Sequence, residues 1–248
     1  SWDYPGFGSL DLEARYPGCV SLFWAGCGAD QNPLPRRKLE LARQYGGQLA
    51  QAVAAVLSHG GGTQPLPALL KTSYSEVPLP LDEIPTKEEL QQAAQSTDRY
   101  QRARAAMQLE RFAAGHELPT HYPYPVQVWV LGAQVQWVFL GGEVVVDYAL
   151  RLKTELRGKR TWVAGYTNDV MAYIPSRRVL MEGGYEGKDA MVYYGLSGVW
   201  NPQVEPLVVD AVHGLVRSAH GEQAVDSGEA VHRGAGEDPH VPQRVRLP

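Results

Sequence analysis

The segment from Gln136 to Tyr185, QWVFLGGEVVVDYALRLKTELRGKRTWVAGYTNDVMAYIPSRRVLMEGGY, decides the fold. Its apolar run Trp137–Leu140 predicts a strand that ends at a pair of glycines, and the apolar residues that follow, from Val144 to Leu152, have helical spacing. A second apolar run, Thr161–Ala164, predicts another strand, which leads into a polar loop. The order strand, glycine turn, helix, strand and loop predicts a βαβ-like unit within a mixed α/β domain.

Polar side chains come directly after both predicted strands. Glu143 follows the first strand at the expected start of the helix, and Asn168, Asp169 and Tyr173 follow the second. Open α/β sheets place their binding sites at the carboxyl ends of strands. We therefore expect the Glu143 carboxylate and the Tyr173 hydroxyl to lie at one edge of the same sheet, close enough to share a metal ion. Taken alone, a first-turn glutamate favoured by the helix dipole and a core tyrosine are the more common explanations of these two residues.

Three short motifs resemble those of a known family. They are G-G-E at 141–143, G-Y-T-N-D-x-x-x-Y-I-P at 165–175 and G-G-Y-E-G at 183–187, the last ahead of A-M-V-Y-Y-G. Together they resemble the C-terminal half of the neutral/alkaline non-lysosomal ceramidases, which are zinc amidases that cleave the N-acyl bond of ceramide. The resemblance implies that Glu143 and Tyr173 are zinc ligands and that Tyr185 helps to polarise the substrate amide. The interval between these two tyrosines matches that of the family.

A second polar loop, Ala29–Pro33, precedes a helix predicted from Leu39 to Leu57. The apolar run Cys19–Trp24 before the loop predicts a short buried strand. In the ceramidase family the corresponding loop lies at the active site, so the resemblance implies catalytic roles for Asp30 and Asn32, although Asn32 stands where the family has a serine. By side-chain chemistry alone, these two residues would form an Asx turn or cap the helix.

The resemblance also implies ligands that this sequence does not supply. The family's remaining zinc ligands are two histidines in its N-terminal half, and none of the seven histidines here stands in a matching context. The chain starts at Ser1, and Asp3–Gly6 resembles an internal loop of the family. We therefore expect a fragment whose partner is the missing N-terminal half of the same domain. Alone, it should bind zinc weakly and show no amidase activity.

Elsewhere the patterns predict a central mixed sheet flanked by helices. Alternation predicts a β-hairpin from Val126–Val130 and Val135–Leu140, and Thr86 with Glu89 forms a capping box that starts a helix running to Ala114. Further predicted elements are an edge strand at Leu69–Leu79, an extended piece at Met191–Gly195 and a last helix at Val204–Val216.

The end of the chain differs in composition from the rest. From Arg217 to Pro248 there are almost no large apolar residues, so this part cannot bury enough surface to offset chain entropy. We expect residues 1–216 to form part of a catalytic domain and residues 217–248 to form a disordered tail. The tail histidines, His220, His232 and His240, are too scattered to form a metal site.

Composition excludes several classes of protein. The 248 residues are 44% hydrophobic and 20% charged, which is ordinary for a globular protein. The net charge of −4 predicts no nucleic-acid partner, and no apolar run reaches a membrane-spanning length. Two cysteines, Cys19 and Cys27, are too few for a disulfide framework, and we expect two buried free thiols, although a pair between them stays open.

The resemblance thus implies a zinc-dependent amide hydrolase that acts on ceramide or another N-acyl lipid. Two alternatives remain open, namely a non-catalytic ceramidase-like scaffold used for binding or assembly, and a hydrolase of the same fold with a non-lipid substrate. Zinc in the full-length parent would favour the enzyme over the scaffold. An apolar groove beside Glu143 would favour a lipid substrate.

Overall fold

The computed structural model describes residues 3–59, 63–132, 134–156 and 160–221, which form a mixed α/β arrangement. The helices are α1 (Tyr4–Arg15), α2 (Leu39–Ser58), α3 (Lys87–Ala93), α4 (Arg99–Ala113), α5 (Val146–Glu155), α6 (Arg177–Glu182), α7 (Met191–Tyr194) and α8 (Val204–His220). The strands are β1 (Leu70–Asp82), β2 (His121–Leu131), β3 (Val135–Leu140), β4 (Glu143–Val144), β5 (Arg160–Ala164), β6 (Tyr173–Ile174) and β7 (Val199–Trp200). A π-helical turn, Tyr185–Asp189, joins α6 to α7.

The main sheet has the strand order β5-β3-β2-β1-β7. The predicted hairpin is confirmed, since β2 and β3 pair antiparallel with Val128 opposite Val138. β5 adds parallel to β3 through the α5 crossover, which places Val138 opposite Val163. The predicted βαβ unit is therefore present, and it brings the carboxyl ends of β3 and β5 to the same edge.

One face of this sheet packs against α5 and α8. Alternate residues of β2 and β3, such as Val128 and Val138, are fully buried against the helices. The predicted apolar side of the last helix is confirmed, because Val208 and Val212 are fully buried and Val216 is 9% exposed. Each such side chain contributes about 1.5–3 kcal/mol relative to leaving it in water. The core therefore lies between this face and the two helices.

The opposite face of the sheet carries aromatic side chains. Trp129, Trp137 and Trp162 lie side by side on β2, β3 and β5 in register, and the Trp24 ring packs edge-on against Trp137 at 3.9 Å between centroids. Phe139 is buried beside them, whereas Trp162 is 60% exposed. We call these five residues the tryptophan face.

The predicted buried strand at Cys19–Trp24 is wrong. Residues 19–25 form no strand, Cys19 is exposed, and Leu22 is 90% exposed. Cys27 is buried as expected, and both thiols are free. The apolar pattern identified a segment suited to strand pairing. Within the described chain, however, only one backbone bond holds it to the sheet, from Gly165 N–H to the Ala25 carbonyl at 3.2 Å.

Glu143 lies in a strand and not in the first helical turn. Its N–H donates to the Ala172 carbonyl at 2.8 Å, so β4 pairs parallel with β6, and α5 begins only at Val146. The predicted helical spacing is confirmed beyond Val146, but the backbone pairing of Glu143 depends on β6, which comes later in the chain. The local periodicity of the sequence cannot predict that β6 is the strand that pairs with Glu143.

Several other boundaries differ from the prediction. The capping box of Thr86 and Glu89 is confirmed, but the helix that it starts ends at Ala93, and Asp98 caps a separate helix. The piece at Met191–Tyr194 is helical. The predicted edge strand, β1, extends past its prolines to Asp82. One side of β1 pairs with β2, and on the other side its last two residues pair with β7.

The end of α8 changes the predicted tail. The helix continues to His220, so residues 217–220 are helical and do not belong to a disordered segment. The rest of that prediction, from residue 222 onward, lies outside the described residues. No described helix combines the length and apolarity needed to cross a membrane.

We predict that Gly142→Ala destabilises the fold by about 2–3 kcal/mol. Gly142 has φ +74°, and a Cβ there would lie 2.7 Å from the Ala172 carbonyl oxygen that holds β4 to β6. Denaturant unfolding monitored by circular dichroism measures the change. Gly214→Ala in α8 is the matched control, because its Cβ would meet nothing within 4 Å. It should gain about 0.5–1 kcal/mol, as expected for glycine in a helix interior. Equal stability of the two variants would contradict the close approach.

Candidate functional site

Glu143 and Tyr173 are direct partners in the short β4–β6 ladder. The structure therefore brings together the two residues that the sequence placed at one edge. The ladder forms beside the glycine pair because the Gly142 N–H donates to the Asp169 carbonyl at 2.8 Å while its left-handed backbone turns the chain from β3 into β4. The buried Trp200 fixes the other side, since its indole N–H donates to the Tyr173 carbonyl at 2.7 Å. Both candidate ligands are half-buried.

Three tyrosines surround the Glu143 carboxylate. The Tyr194 hydroxyl donates to Glu143 Oε1. Burial, and next the negative charge of Glu143, raise the pKa of Tyr166 to about 12. The same two causes raise the pKa of Tyr173 well above its ordinary value, and burial with the hydrogen bond to Glu143 does so for Tyr194. All three phenols are therefore protonated at neutral pH, and the Tyr194 hydroxyl is the one with a hydrogen bond to the carboxylate among the described residues.

Tyr185 lies at the solvent side of this cluster. It begins the π-helical turn, and its ring lies 5.4 Å from that of Tyr173, edge-on. The two preceding residues, Gly183 and Gly184, have φ of +72° and +74°, which lets the chain reverse between α6 and the turn. Tyr185 is 49% exposed, so a bound molecule can reach its side chain.

Asp30 lies behind β4 and caps α5. Its Oδ1 accepts the N–H of Val146, the first residue of that helix, at 2.8 Å, and the Ala29 N–H donates to the Val144 carbonyl at 3.2 Å. The helix-cap alternative raised from the sequence thus has a geometric basis, although the helix is α5 and not the nearby α2. The predicted catalytic role of Asp30 stays a prediction.

Asn32 is not brought to the tyrosine cluster. It is exposed and lines a separate hollow of about 270 Å³ with Tyr4, Gln31, Pro33 and Tyr45. Its predicted role in catalysis stays a prediction that the described geometry does not support.

The loop between β5 and β6 is held by its polar residues. Asp169 accepts a hydrogen bond from the Tyr122 hydroxyl at 2.5 Å, and Thr167 Oγ1 donates to the Leu140 carbonyl at 2.8 Å. Tyr166 and Asn168 have positive φ values of 58° and 65°. The expected polar residues therefore shape the loop and direct Tyr166 toward Glu143.

Tyr166 and Tyr194 belong to the site although neither was among the residues predicted from the sequence. Both lie inside motifs that were singled out, G-Y-T-N-D and A-M-V-Y-Y-G. Their proximity to Glu143 follows from the β5–β6 loop and from α7, neither of which has a periodic signal. Only the motif positions could have pointed to them.

The described residues fit a zinc ion in part. Glu143 and Tyr173 offer two oxygen donors, whereas zinc sites in proteins use three or four ligands. Within the described ranges, no three histidine, cysteine, aspartate or glutamate side chains cluster closely enough to hold a metal ion. Cys27 is a poor substitute, because burial raises the pKa of its thiol to about 12.

Comparisons with known proteins identify the fold. No protein-family profile and no curated protein matches the sequence. The structure is similar to the crystal structure of neutral ceramidase from Pseudomonas aeruginosa, with a TM-score of 0.56 and 17% identity, covering 93% of this chain and 42% of that one. It is also similar to a ceramidase complexed with C2, with a TM-score of 0.57 and 13% identity, covering 93% of this chain and 44% of that one. The chain has a ceramidase-like fold.

The ceramidase-like fold is a partial one. The chain spans less than half of the length of either ceramidase chain. At such low identity the likeness concerns the fold, and the expectation of a mixed α/β, ceramidase-like domain is confirmed at that level. Zinc binding and catalysis are separate questions.

We predict that Glu143→Gln lowers the pKa of the surrounding tyrosines. Removing the negative charge removes its repulsion of a phenolate, so Tyr166 should titrate below its present value of about 12. It should stay above the ordinary value of about 10, because its burial is unchanged. Tyrosinate absorbance, recorded as a difference titration against the wild type, measures the shift. Glu40→Gln on the exposed side of α2 is the control and should leave the titration unchanged. Superimposable curves for all three proteins would contradict the cluster.

We also predict that Asp30→Ala destabilises the fold by about 1–2 kcal/mol, as expected for a lost helix cap. Asp30→Asn retains an acceptor for the Val146 N–H and should lose only part of that amount. Asn32→Ala is the neighbouring control and should change the free energy of unfolding by less than about 0.5 kcal/mol. Thermal and denaturant unfolding measure all three variants, and equal losses for Asp30→Ala and Asn32→Ala would reject the cap.

Proposed function

We propose that this chain is part of a ceramidase-type zinc amide hydrolase. In this proposal Glu143 and Tyr173 are two of the zinc ligands, and Tyr185 donates to the amide oxygen of the substrate. The remaining ligands come from polypeptide outside residues 1–248, the N-terminal half of the domain that the sequence resemblance implies. The activity belongs to the assembled domain and not to this chain alone.

The pairing of Glu143 with Tyr173 in one ladder is the observation that carries the proposal. The two residues are far apart in sequence, and each has a common structural explanation by itself. A carboxylate and a phenol held side by side on rigid backbone are what a shared metal ion requires of its ligands. The ceramidase-like fold supports the same assignment.

Zinc-dependent amide hydrolysis would give each of these side chains a specific role. A zinc ion held by these residues and further ligands would lower the pKa of its water to about 7 and would so supply a hydroxide nucleophile at neutral pH. Tyr194 donates to Glu143 and holds one of its oxygens in place. Tyr173 must lose its proton to act as a ligand, and burial together with Glu143 opposes that loss by raising its pKa. Ionisation of the Tyr173 phenol therefore requires additional positive charge, because Glu143 beside it opposes the loss of the proton.

Tyr185 is assigned the transition-state contact. Negative charge develops on the amide oxygen as the carbonyl carbon becomes tetrahedral, and a fixed hydroxyl donor at that position stabilises it. The half-exposed Tyr185 is accessible beside Tyr173, whereas the hydroxyl of Tyr194 is already donated to Glu143.

An N-acyl lipid of the ceramide class is the substrate that we propose. Both of the similar structures named above are ceramidases. Tyr194, which donates to Glu143, also lines a hollow of about 510 Å³ whose other lining residues include the apolar Met107 and Leu118 and the polar or charged Glu110, Arg111 and His121. The apolar part of this lining supports a lipid over a small polar substrate. The non-catalytic scaffold stays the alternative that the experiment must reject.

The test uses the intact polypeptide or complex that carries this chain in its natural source. We expect bound zinc and release of fatty acid from ceramide. Glu143→Gln should lose both, because a ligand is removed. Tyr185→Phe should retain zinc and reduce kcat by roughly 10²–10³-fold, as expected for one oxyanion donor. Elemental analysis and a fatty-acid release assay measure the two quantities separately.

Glu40→Gln is the control and should change neither zinc content nor turnover. Absence of zinc from the intact protein would favour the scaffold. Zinc without ceramide hydrolysis, but with cleavage of a short N-acyl amide, would indicate a non-lipid substrate. Turnover by residues 1–248 alone that is abolished by Glu143→Ala would show that the site is complete within this chain.

A further inference from the structure

The candidate site depends on an irregular segment that has little support of its own. Tyr194, whose hydroxyl donates to Glu143, ends the four-residue helix α7. A single helical turn is not stable by itself. No backbone N–H among the described residues donates to the carbonyl groups of residues 195–197, which follow α7. The position of Tyr194 therefore depends on side chains that bind this segment from elsewhere in the fold.

Helix α4 supplies those side chains. Arg104 donates from Nε to the Leu196 carbonyl at 2.8 Å and from Nη2 to the Ser197 carbonyl at 2.9 Å. Gln108 Nε2 donates to the Leu196 carbonyl at 2.9 Å and to the Gly195 carbonyl at 3.5 Å. Within the part of the chain that the structure describes, two side chains of one helix thus provide the hydrogen bonds of all three carbonyl groups.

All of these contacts come from one face of α4. The residues of the helix that touch the segment have the spacing i, i+4, i+7 and i+8 and are Tyr100, Arg104, Met107 and Gln108. The Tyr100 ring packs edge-on against that of Tyr193 at 4.6 Å between centroids. Met107 lies so close to Gly195 that a Cβ there would be 2.7 Å from its Cε. About two turns of α4 therefore follow residues 193–197.

The two hydrogen-bonding residues are costly choices for a helix that only packs against its neighbours. Gln108 is 1% exposed, and its Oε1 is buried without a hydrogen-bond partner in the described chain. Arg104 is half-buried, and burial lowers the pKa of its guanidinium. Among the described residues it forms no ion pair with a carboxylate. Burial of such groups costs free energy that apolar side chains would not lose, so stability alone does not explain them.

We propose that Arg104 and Gln108 are positioning residues of the candidate site. From α4 they fix residues 195–197, and through that segment they keep the Tyr194 hydroxyl on the Glu143 carboxylate. The Tyr194 ring also lies edge-on to that of Tyr173, with 6.3 Å between centroids, so the same support reaches both candidate ligands. Loss of a group that holds a metal-binding carboxylate typically costs roughly 10–100-fold in metal affinity or activity. The effect on turnover rests on the proposed function, whereas the support of Tyr194 does not.

The hydrogen bond of Tyr194 can be measured without zinc. Ultraviolet resonance Raman spectra of the metal-free intact polypeptide or complex report whether tyrosine hydroxyl groups donate, and subtraction of the Tyr194→Phe spectrum isolates the signal of Tyr194. We expect Arg104→Ala to remove most of its hydrogen-bonded signal and Gln108→Leu to reduce it. Arg104→Lys retains a single donor group and should restore part of the signal. An unchanged signal in Arg104→Ala or in Gln108→Leu would overturn the role of the substituted residue.

Arg102→Ala is the matched control on the same helix. Arg102 also donates to two backbone carbonyl groups, at 2.6 and 2.8 Å, but these belong to Ser96 and Thr97 ahead of α4. Its loss should leave the Tyr194 signal, kcat and KM at their wild-type values. A change in Arg102→Ala as large as that in Arg104→Ala would show that any damage to α4 reaches the site, and it would overturn the specific role of Arg104.

Gln108→Leu separates positioning from stability. Leucine removes the buried Oε1 that lacks a partner, and the Leu196 carbonyl keeps its bond from Arg104. The midpoint of denaturant unfolding should therefore equal or exceed that of the wild type. We nevertheless expect kcat for fatty-acid release to fall several-fold, with KM little changed. Wild-type kcat in Gln108→Leu, or a loss of activity that follows a lower unfolding midpoint, would overturn the positioning role of Gln108.

A double-mutant cycle on turnover tests whether Arg104 acts through Tyr194. Tyr194→Phe should lower kcat by roughly 10-fold or more, and Arg104→Ala by a similar factor. The double variant should be no slower than Tyr194→Phe alone, because both substitutions break the same hydrogen bond and their effects are then not additive. Multiplication of the two factors would overturn the proposal, since Arg104 would then act by another route.

The positioning role and the proposed function fail in different measurements. Absence of zinc and of fatty-acid release in the intact wild type rejects the hydrolase, while the Raman spectra still decide whether α4 holds Tyr194 on Glu143. Wild-type turnover in Arg104→Ala, with the Tyr194 signal lost, rejects the positioning role and retains the hydrolase.

Discussion

The parallel pairing of β4 with β6 is the constraint on which the rest of the candidate site depends. Only two residues from each strand take part, and one of the two pairs is Glu143 with Tyr173. The pairing requires the chain to turn sharply after β3, and Gly142 makes that turn with a backbone conformation that other residues adopt at a cost. Without this ladder, the carboxylate and the phenol would have no fixed relation to each other.

The ladder also fixes the electrostatics of the site. One half-buried carboxylate accepts a hydrogen bond from Tyr194. Burial, and next the negative charge of this carboxylate, raise the pKa of Tyr166 and of Tyr173. Such an arrangement is self-consistent without a metal ion, because the phenols remain protonated and neutral. It becomes a ligand set only when added positive charge compensates for the loss of a phenol proton. The proposed function therefore depends on polypeptide that contributes to the same edge.

The two faces of the main sheet differ in how they are covered. Helices α5 and α8 pack on one face, and on the other face the rings of Trp24, Trp137, Phe139 and Trp162 contact one another. Trp162 is 60% exposed there, whereas Phe139 is buried.

The sequence by itself determined the local features of this protein. Alternation predicted the β2–β3 hairpin, the spacing of the valines predicted the buried side of α8, and the motifs around Glu143, Tyr173 and Tyr185 predicted a ceramidase-like fold. These signals are local because side-chain periodicity depends only on the conformation of one element. The tertiary structure alone decided which distant groups meet. It paired Glu143 with β6, brought Tyr166 and Tyr194 to that carboxylate, made Asp30 the cap of α5, and left residues 19–24 without a strand partner. Hydrogen bonds between distant backbone segments have no sequence period, so a pattern can identify a segment that is suited to pairing but cannot identify its partner.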